Sequence, residues 1–150
     1  MKAYKMYTKK ELMSFGNFLI GKDTQQDFEK WSSDEERIFE MLLVMAYNAV
    51  DQHYIPVYRN YGYTKKWKDG GYEVILSRKK TNPIVFARYM VFSKLAERDY
   101  TLKRIGMKFG GMDHTSIIHG IKQARALVND RGEIGDAFNC FEKMAKAKGL

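Results

Sequence analysis

The sequence predicts an all-α protein organised around a helix-turn-helix, and three observations carry that expectation. Between Tyr100 and Val128 a short helical stretch and a longer one are separated by Gly110-Gly111, residues that allow positive φ and close backbone approach. Ser33-Asp34-Glu35-Glu36 places a capping box and acids at the head of the apolar run IFEMLLVMAYNAV. A third stretch, Ile84 to Arg98, has amphipathic helical spacing.

The elements follow in order along a chain of 150 residues, 45% hydrophobic and 29% charged, long enough for one domain with a core plus an appendage. Residues 1–32 form the expected N-terminal helical appendage. Within it Thr8 and Glu11 make a capping box for a short helix over residues 8–20, with Leu12, Phe15, Leu19 and Ile20 on one face. That face can pad the core or meet another protein. Residues 33–150 form the main domain. Its first helix, starting at Ser33, is apolar nearly all round and is expected to be the central one, with Met41, Met45 and Met90 as core filler.

Residues 51–73 change character. Tyrosines and Trp67 stand among Arg59, Lys65, Lys66 and Lys68, with Pro56, Gly62, Gly70 and Gly71 as breakers. Such an aromatic-basic insertion suits a stacking surface for single strands, a groove-edge contact to phosphate, or a surface loop or β-hairpin whose rings fold back. Next, ILSRKKTN before Pro83 is read as an extended segment carrying Arg78, Lys79 and Lys80, able to lie along phosphates or enter a minor groove. In the helix over Ile84 to Arg98, Val85, Tyr89, Phe92 and Ala96 fall near one face, and Arg88, Lys94 and Arg98 are expected outward. Thr101 caps the next helix, with Leu102 and Ile105 inward and Lys103, Arg104 and Lys108 outward.

In the last helix of the motif Ile117, Ile118, Ile121, Ala124 and Val128 make a buried stripe, leaving His114, Thr115, His119, Lys122 and Arg125 for other faces. It opens on Asp113-His114-Thr115-Ser116, polar residues at the end that enters the major groove in such motifs. Asp can accept from a cytosine amino group, Thr can bond a base edge or touch a thymine methyl, and His can do either. Asp113 is equally a good N-cap.

Charge points the same way. Residues 75–128 hold 11 Lys and Arg against three acids, a net of +8, which is the whole excess of the chain. Both flanks are neutral, so a polyanion partner for the middle segment is the economical explanation.

The segment FGGMDHTSIIHGIKQA resembles the signature of the C-terminal DNA-binding domain of the bacterial replication initiator DnaA. The likeness extends upstream through ILSRKKT, similar to that domain's basic loop, and through Ala87-Arg88. Downstream, DRGEIGDAF is similar to its closing helix. The resemblance covers about Ile75 to Lys146. It implies a Trp-repressor-like, domain IV type helix-turn-helix bundle that binds double-stranded DNA at a box-like site, in replication initiation or its regulation.

On this reading Asp113, His114, Thr115 and Ser116 read bases, while Arg78, Lys79, Lys80, Arg88, Lys103, Lys108, Lys122 and Arg125 meet the backbone or the minor groove. The resemblance implies that Lys80 holds a minor-groove position usually occupied by Arg, and that Arg88 is a backbone contact. Met112 stands where the pattern has a phosphate-clamping Arg, and one residue is missing between Arg88 and Leu102. The insertion has no counterpart in the pattern.

No catalytic, metal or cofactor site is expected. His114 and His119 are five apart and diverge on a helix, and Cys140 is the lone cysteine. No GK[ST] phosphate-binding loop occurs, so neither nucleotide binding nor ATPase activity is expected. No run of about 18 apolar residues and no signal pattern is found, and a cytoplasmic, membrane-free protein is expected. Two alternatives stay open: an adaptor that binds a protein partner through residues 1–50, and a single-strand binder led by the insertion.

Overall fold

A computed structural model describes residues 30–58 and 64–150, and every regular element among them is helical. The helix expected over residues 8–20 lies outside the described residues.

The central helix, α1 (Ser33–His53), is capped by Ser32, one residue before the Ser33 cap that the sequence suggested. The Ser32 hydroxyl accepts from the Glu35 backbone N–H at 3.1 Å, and Glu35 Oε1 accepts from the Ser32 N–H at 2.8 Å. Ser32/Glu35 and Ser33/Glu36 both satisfy the capping spacing; the first pair forms the box, while Glu36 pairs with Lys108. Phe39, Leu42, Met45, Ala46, Ala49 and Val50 are buried along α1, which packs on four later elements.

The described part of the insertion is neither loop nor hairpin. It forms α2 (Ile55–Tyr58), α3 (Thr64–Gly70) and a 3-10 helix (Gly71–Leu76). Its anchor is Trp67, fully buried and stacked on Tyr47 of α1 at 4.4 Å. The indole Nε1 donates to Asp51 at 3.0 Å, and the Tyr47 hydroxyl donates to the Trp67 carbonyl at 3.0 Å. Tyr54 is buried and Tyr72 donates to Glu40 at 2.5 Å. These rings follow the fold-back reading, because a large aromatic with a satisfied polar tip contributes most when it is removed from water. Trp67 is therefore unavailable for stacking on a single strand.

α4 (Asn82–Glu97) begins after Thr81 with Pro83 in its first turn, where the missing N–H is harmless. It lies between α1 and the helix that follows the Gly110-Gly111 turn and also touches the 3-10 helix, so almost its whole circumference is covered. The expected outward placement of Arg88 and Lys94 is corrected accordingly: both are buried, and Val85 and Tyr89 are only half-buried. Lys94 Nζ donates to Glu97 at 2.8 Å and to Glu142 of the last helix at 2.9 Å. Burial depresses its pKa, but the two carboxylates outweigh that and leave it raised, so the ammonium stays charged.

The connection to α5 (Leu102–Lys108) is tight, with Asp99 in the left-handed region at φ 69°, which a short polar side chain tolerates. The Thr101 hydroxyl caps α5, accepting from the Arg104 N–H at 3.2 Å. Then come the turn, α6 (His114–Leu127) and the closing helix α7 (Glu133–Ala147), whose Phe138 and Phe141 are buried and which packs on α1. Among the described residues no helix is long and apolar enough to cross a membrane.

Candidate nucleic-acid interface

The geometry of the turn depends on Gly106 as much as on the Gly110-Gly111 pair. Gly110 and Gly111 hold φ of 74° and 78°, as the sequence predicts. Gly106, inside α5, faces the turn so closely that a Cβ there would lie 2.5 Å from the Met112 carbonyl oxygen. Its own carbonyl accepts from the N–H groups of Gly111 at 2.9 Å and Met112 at 3.2 Å. Sequence reasoning missed Gly106. The available signal was a glycine in the interior of a helical stretch, which normally has a packing reason.

α6 divides as its periodicity predicts. Ile117, Ile121 and Ala124 are buried, while Asp113, His114, Thr115 and Ser116 are all exposed at its leading end. Asp113 is the N-cap, its Oδ1 accepting from the Ser116 N–H at 2.8 Å. The Ser116 backbone N–H and hydroxyl hold its carboxyl below the usual range, with smaller help from the His114 and Arg78 charges. Its capping role and its availability as an anionic acceptor therefore coexist. Lys122 lies two turns along from Thr115 on the same face, and Lys122 and Arg125 are both exposed. Behind them the His119 ring meets Tyr89 of α4 edge-on at 6.1 Å.

The basic loop is brought to the same end of the molecule. Arg78, Lys79 and Lys80 are exposed, and Arg78 Nη2 donates to the Gly110 carbonyl at 2.6 Å. That bond places the loop beside the turn that launches α6. Lys103 is also exposed, on α5.

Two predicted contacts lie elsewhere. Arg88 is buried, its Nε donating to the Ile75 carbonyl at 3.2 Å and its Nη2 to the carbonyls of Ser77 and Lys79 at 2.5 and 2.9 Å. Burial and the nearby Arg78 charge lower its pKa, against a smaller opposing effect of Tyr89, yet an arginine remains protonated in such a cage. Lys108 pairs with Glu36 of α1 and lies over the rings of Trp31 and Phe39, each 5.1 Å away. Its neighbour Arg104 donates to Glu35 at 2.7 Å and to the Lys30 carbonyl at 3.1 Å. Arg104 also stands over Tyr100, which stacks on Trp31 at 4.7 Å. Arg104 and Lys108 therefore clamp α5 to the start of α1, because acids in the first turn of α1 lie within reach of them.

No solved structure matches the chain. Residues 71–124, running from the 3-10 helix through most of α6, match the protein family described as bacterial dnaA protein helix-turn-helix. The loop, α4, α5, the glycine turn and the exposed tip of α6 all fall inside that span, and the chain thus carries a helix-turn-helix domain of the DnaA C-terminal type.

Proposed function

We propose that this chain is a sequence-specific double-stranded DNA-binding protein that reads a DnaA-box-like site in replication initiation or its regulation, without ATPase activity of its own. The observation that carries the reading is the exposure of Asp113, His114, Thr115 and Ser116 at the head of a helix whose opposite face is buried. Exposed cations stand on either side: Arg78, Lys79 and Lys80 on the loop, Lys122 and Arg125 further along α6.

Mechanism follows from these positions. The cationic face draws the duplex by counterion release, and α6 enters the major groove tip first. Asp113 offers its carboxylate to a cytosine amino group, and Thr115 and Ser116 bond base edges or pack on a thymine methyl. His114 lies beside them for either kind of contact. Lys79 and Lys80 follow the backbone or enter the adjacent minor groove, with Lys103, Lys122 and Arg125 on phosphates. Met112 is half-buried against the core where the DnaA pattern has Arg, so the phosphate contact that the pattern would make there is missing.

Titration with three probes across a salt series tests the reading: duplex carrying a DnaA-type box, scrambled duplex, and single strand. The expected result is tightest binding to the box, weaker and salt-steep binding to scrambled duplex, and weakest binding to single strand. Single strand bound as tightly as the box would contradict it.

A further inference from the structure

Arg88 and Arg78 tie one five-residue loop, residues 77–81, to two other parts of the domain: α4 and the turn before α6. The carbonyls of Ser77 and Lys79 lie outside any helix, where backbone acceptors need partners from elsewhere. Arg88 supplies them from beneath, reaching across Ile75, Ser77 and Lys79 with one planar fork of donors. At 6% exposure and with these bonds made, its guanidinium cannot reach a phosphate without dismantling the loop. Arg78 leaves the loop sideways and donates to the Gly110 carbonyl at 2.6 Å, at a position where a Cβ added to that glycine would lie 3.4 Å from the guanidinium. Gly110 in turn stands three residues before the N-cap of α6.

We propose that Arg88 and Arg78 are positioning residues, which together fix the register between the loop cations Lys79 and Lys80 and the reading tip of α6. This rests on the duplex-binding reading above and adds what sets its specificity. The loop is ordered in the folded protein before DNA arrives, so its conformational entropy is lost on folding rather than on binding. A duplex is then accepted only where the backbone or minor-groove feature met by Lys79 and Lys80 stands at a set spacing from the base edges met by Thr115. Arginine is needed at residue 88 because lysine keeps the charge but lacks the fork that serves three carbonyls.

The test uses the full chain and has one arm without DNA. In limited trypsin digestion, Arg88→Lys should speed cleavage after Lys79 and Lys80 by about tenfold or more, while cleavage after Lys122, inside α6, stays at the wild-type rate. In the second arm, Lys80→Ala should weaken box binding in the wild-type background but change it less than about twofold in the Arg88→Lys background. Thr115→Ala should cost the same factor in both backgrounds. If Arg88→Lys does not fold, Arg78→Gln, at an exposed side chain, replaces it in both arms with the same expectations. Unchanged cleavage of the loop overturns the proposal. So do Arg88 and Lys80 effects that multiply independently, since Arg88 would then be a separate DNA contact. A wild-type chain that binds no duplex would instead remove the DNA reading, and the digestion arm would still decide whether the loop is braced.

Discussion

Two groups of cations occupy the same net-basic stretch and do opposite things. On the loop and α6, Lys79, Lys80, Lys122 and Arg125 are exposed around the leading end of α6. On α4 and α5, Arg88, Lys94, Arg104 and Lys108 are occupied inside the protein by carbonyls, carboxylates and aromatic rings. The charge excess of residues 75–128 is therefore only partly a DNA-facing surface. The second group holds α4 and α5 in place so that the first can be presented.

The difference can be broken from the packing side first. Trp67→Ala should cost about 3 to 5 kcal/mol of stability, the usual range for removing a buried aromatic, measured by denaturant unfolding. Below its unfolding transition the variant should keep the wild-type preference for the box, because Trp67 anchors the insertion to α1 and not to the DNA face.

Gly106→Ala comes next. The new methyl would collide with the Met112 carbonyl, and overpacking of that kind costs about 1 to 3 kcal/mol. Here the strain falls on the turn itself, so box affinity should fall together with melting temperature. Wild-type stability in this variant would show that α5 and α6 can approach by another route.

The charges themselves are sharpened by salt. Lys79→Ala, Lys122→Ala and Arg125→Ala should each reduce the slope of log K against log salt by about 0.9, one phosphate contact apiece. Lys108→Ala should leave that slope unchanged and lower stability slightly, since its partner is Glu36. A slope loss at Lys108 equal to that at Lys122 would erase the distinction between the groups.

The smallest effect is one of pH. Burial raises the Glu35 pKa, but hydrogen bonds from Arg104 and the Ser32 backbone N–H, with the Arg104 charge, outweigh it and leave it lowered. A carboxyl lowered in the folded state adds stability above its unfolded pKa and loses it as pH falls through the folded value. Thermal unfolding followed from about pH 6 down to about pH 3 should therefore show a loss of stability that Arg104→Gln makes shallower.

Much of this architecture was legible in the sequence. Helical spacing and caps placed α1, α4, α5 and α6 to within two or three residues, and Gly110-Gly111 gave the turn. The tip residues were identified from their place ahead of Ile117 and Ile121. What sequence could not give was the direction of a long cation. Arg88 and Lys94 sit where an isolated amphipathic helix would point to solvent, and they are buried because α4 is covered from several sides. Lys108 looks free until α1 brings Glu36 beside it. The insertion was ambiguous for a related reason: whether Trp67 turns inward depends on Tyr47 and Asp51, sixteen or more residues away.

The most direct measurement of the central claim is the effect of Thr115→Ala on binding to a DnaA-type box and to scrambled duplex at one salt concentration. Loss of about 1 to 3 kcal/mol on the box, with scrambled binding unchanged, is the predicted result for a side chain that reads bases. Equal losses on both duplexes, or no loss on either, would contradict it.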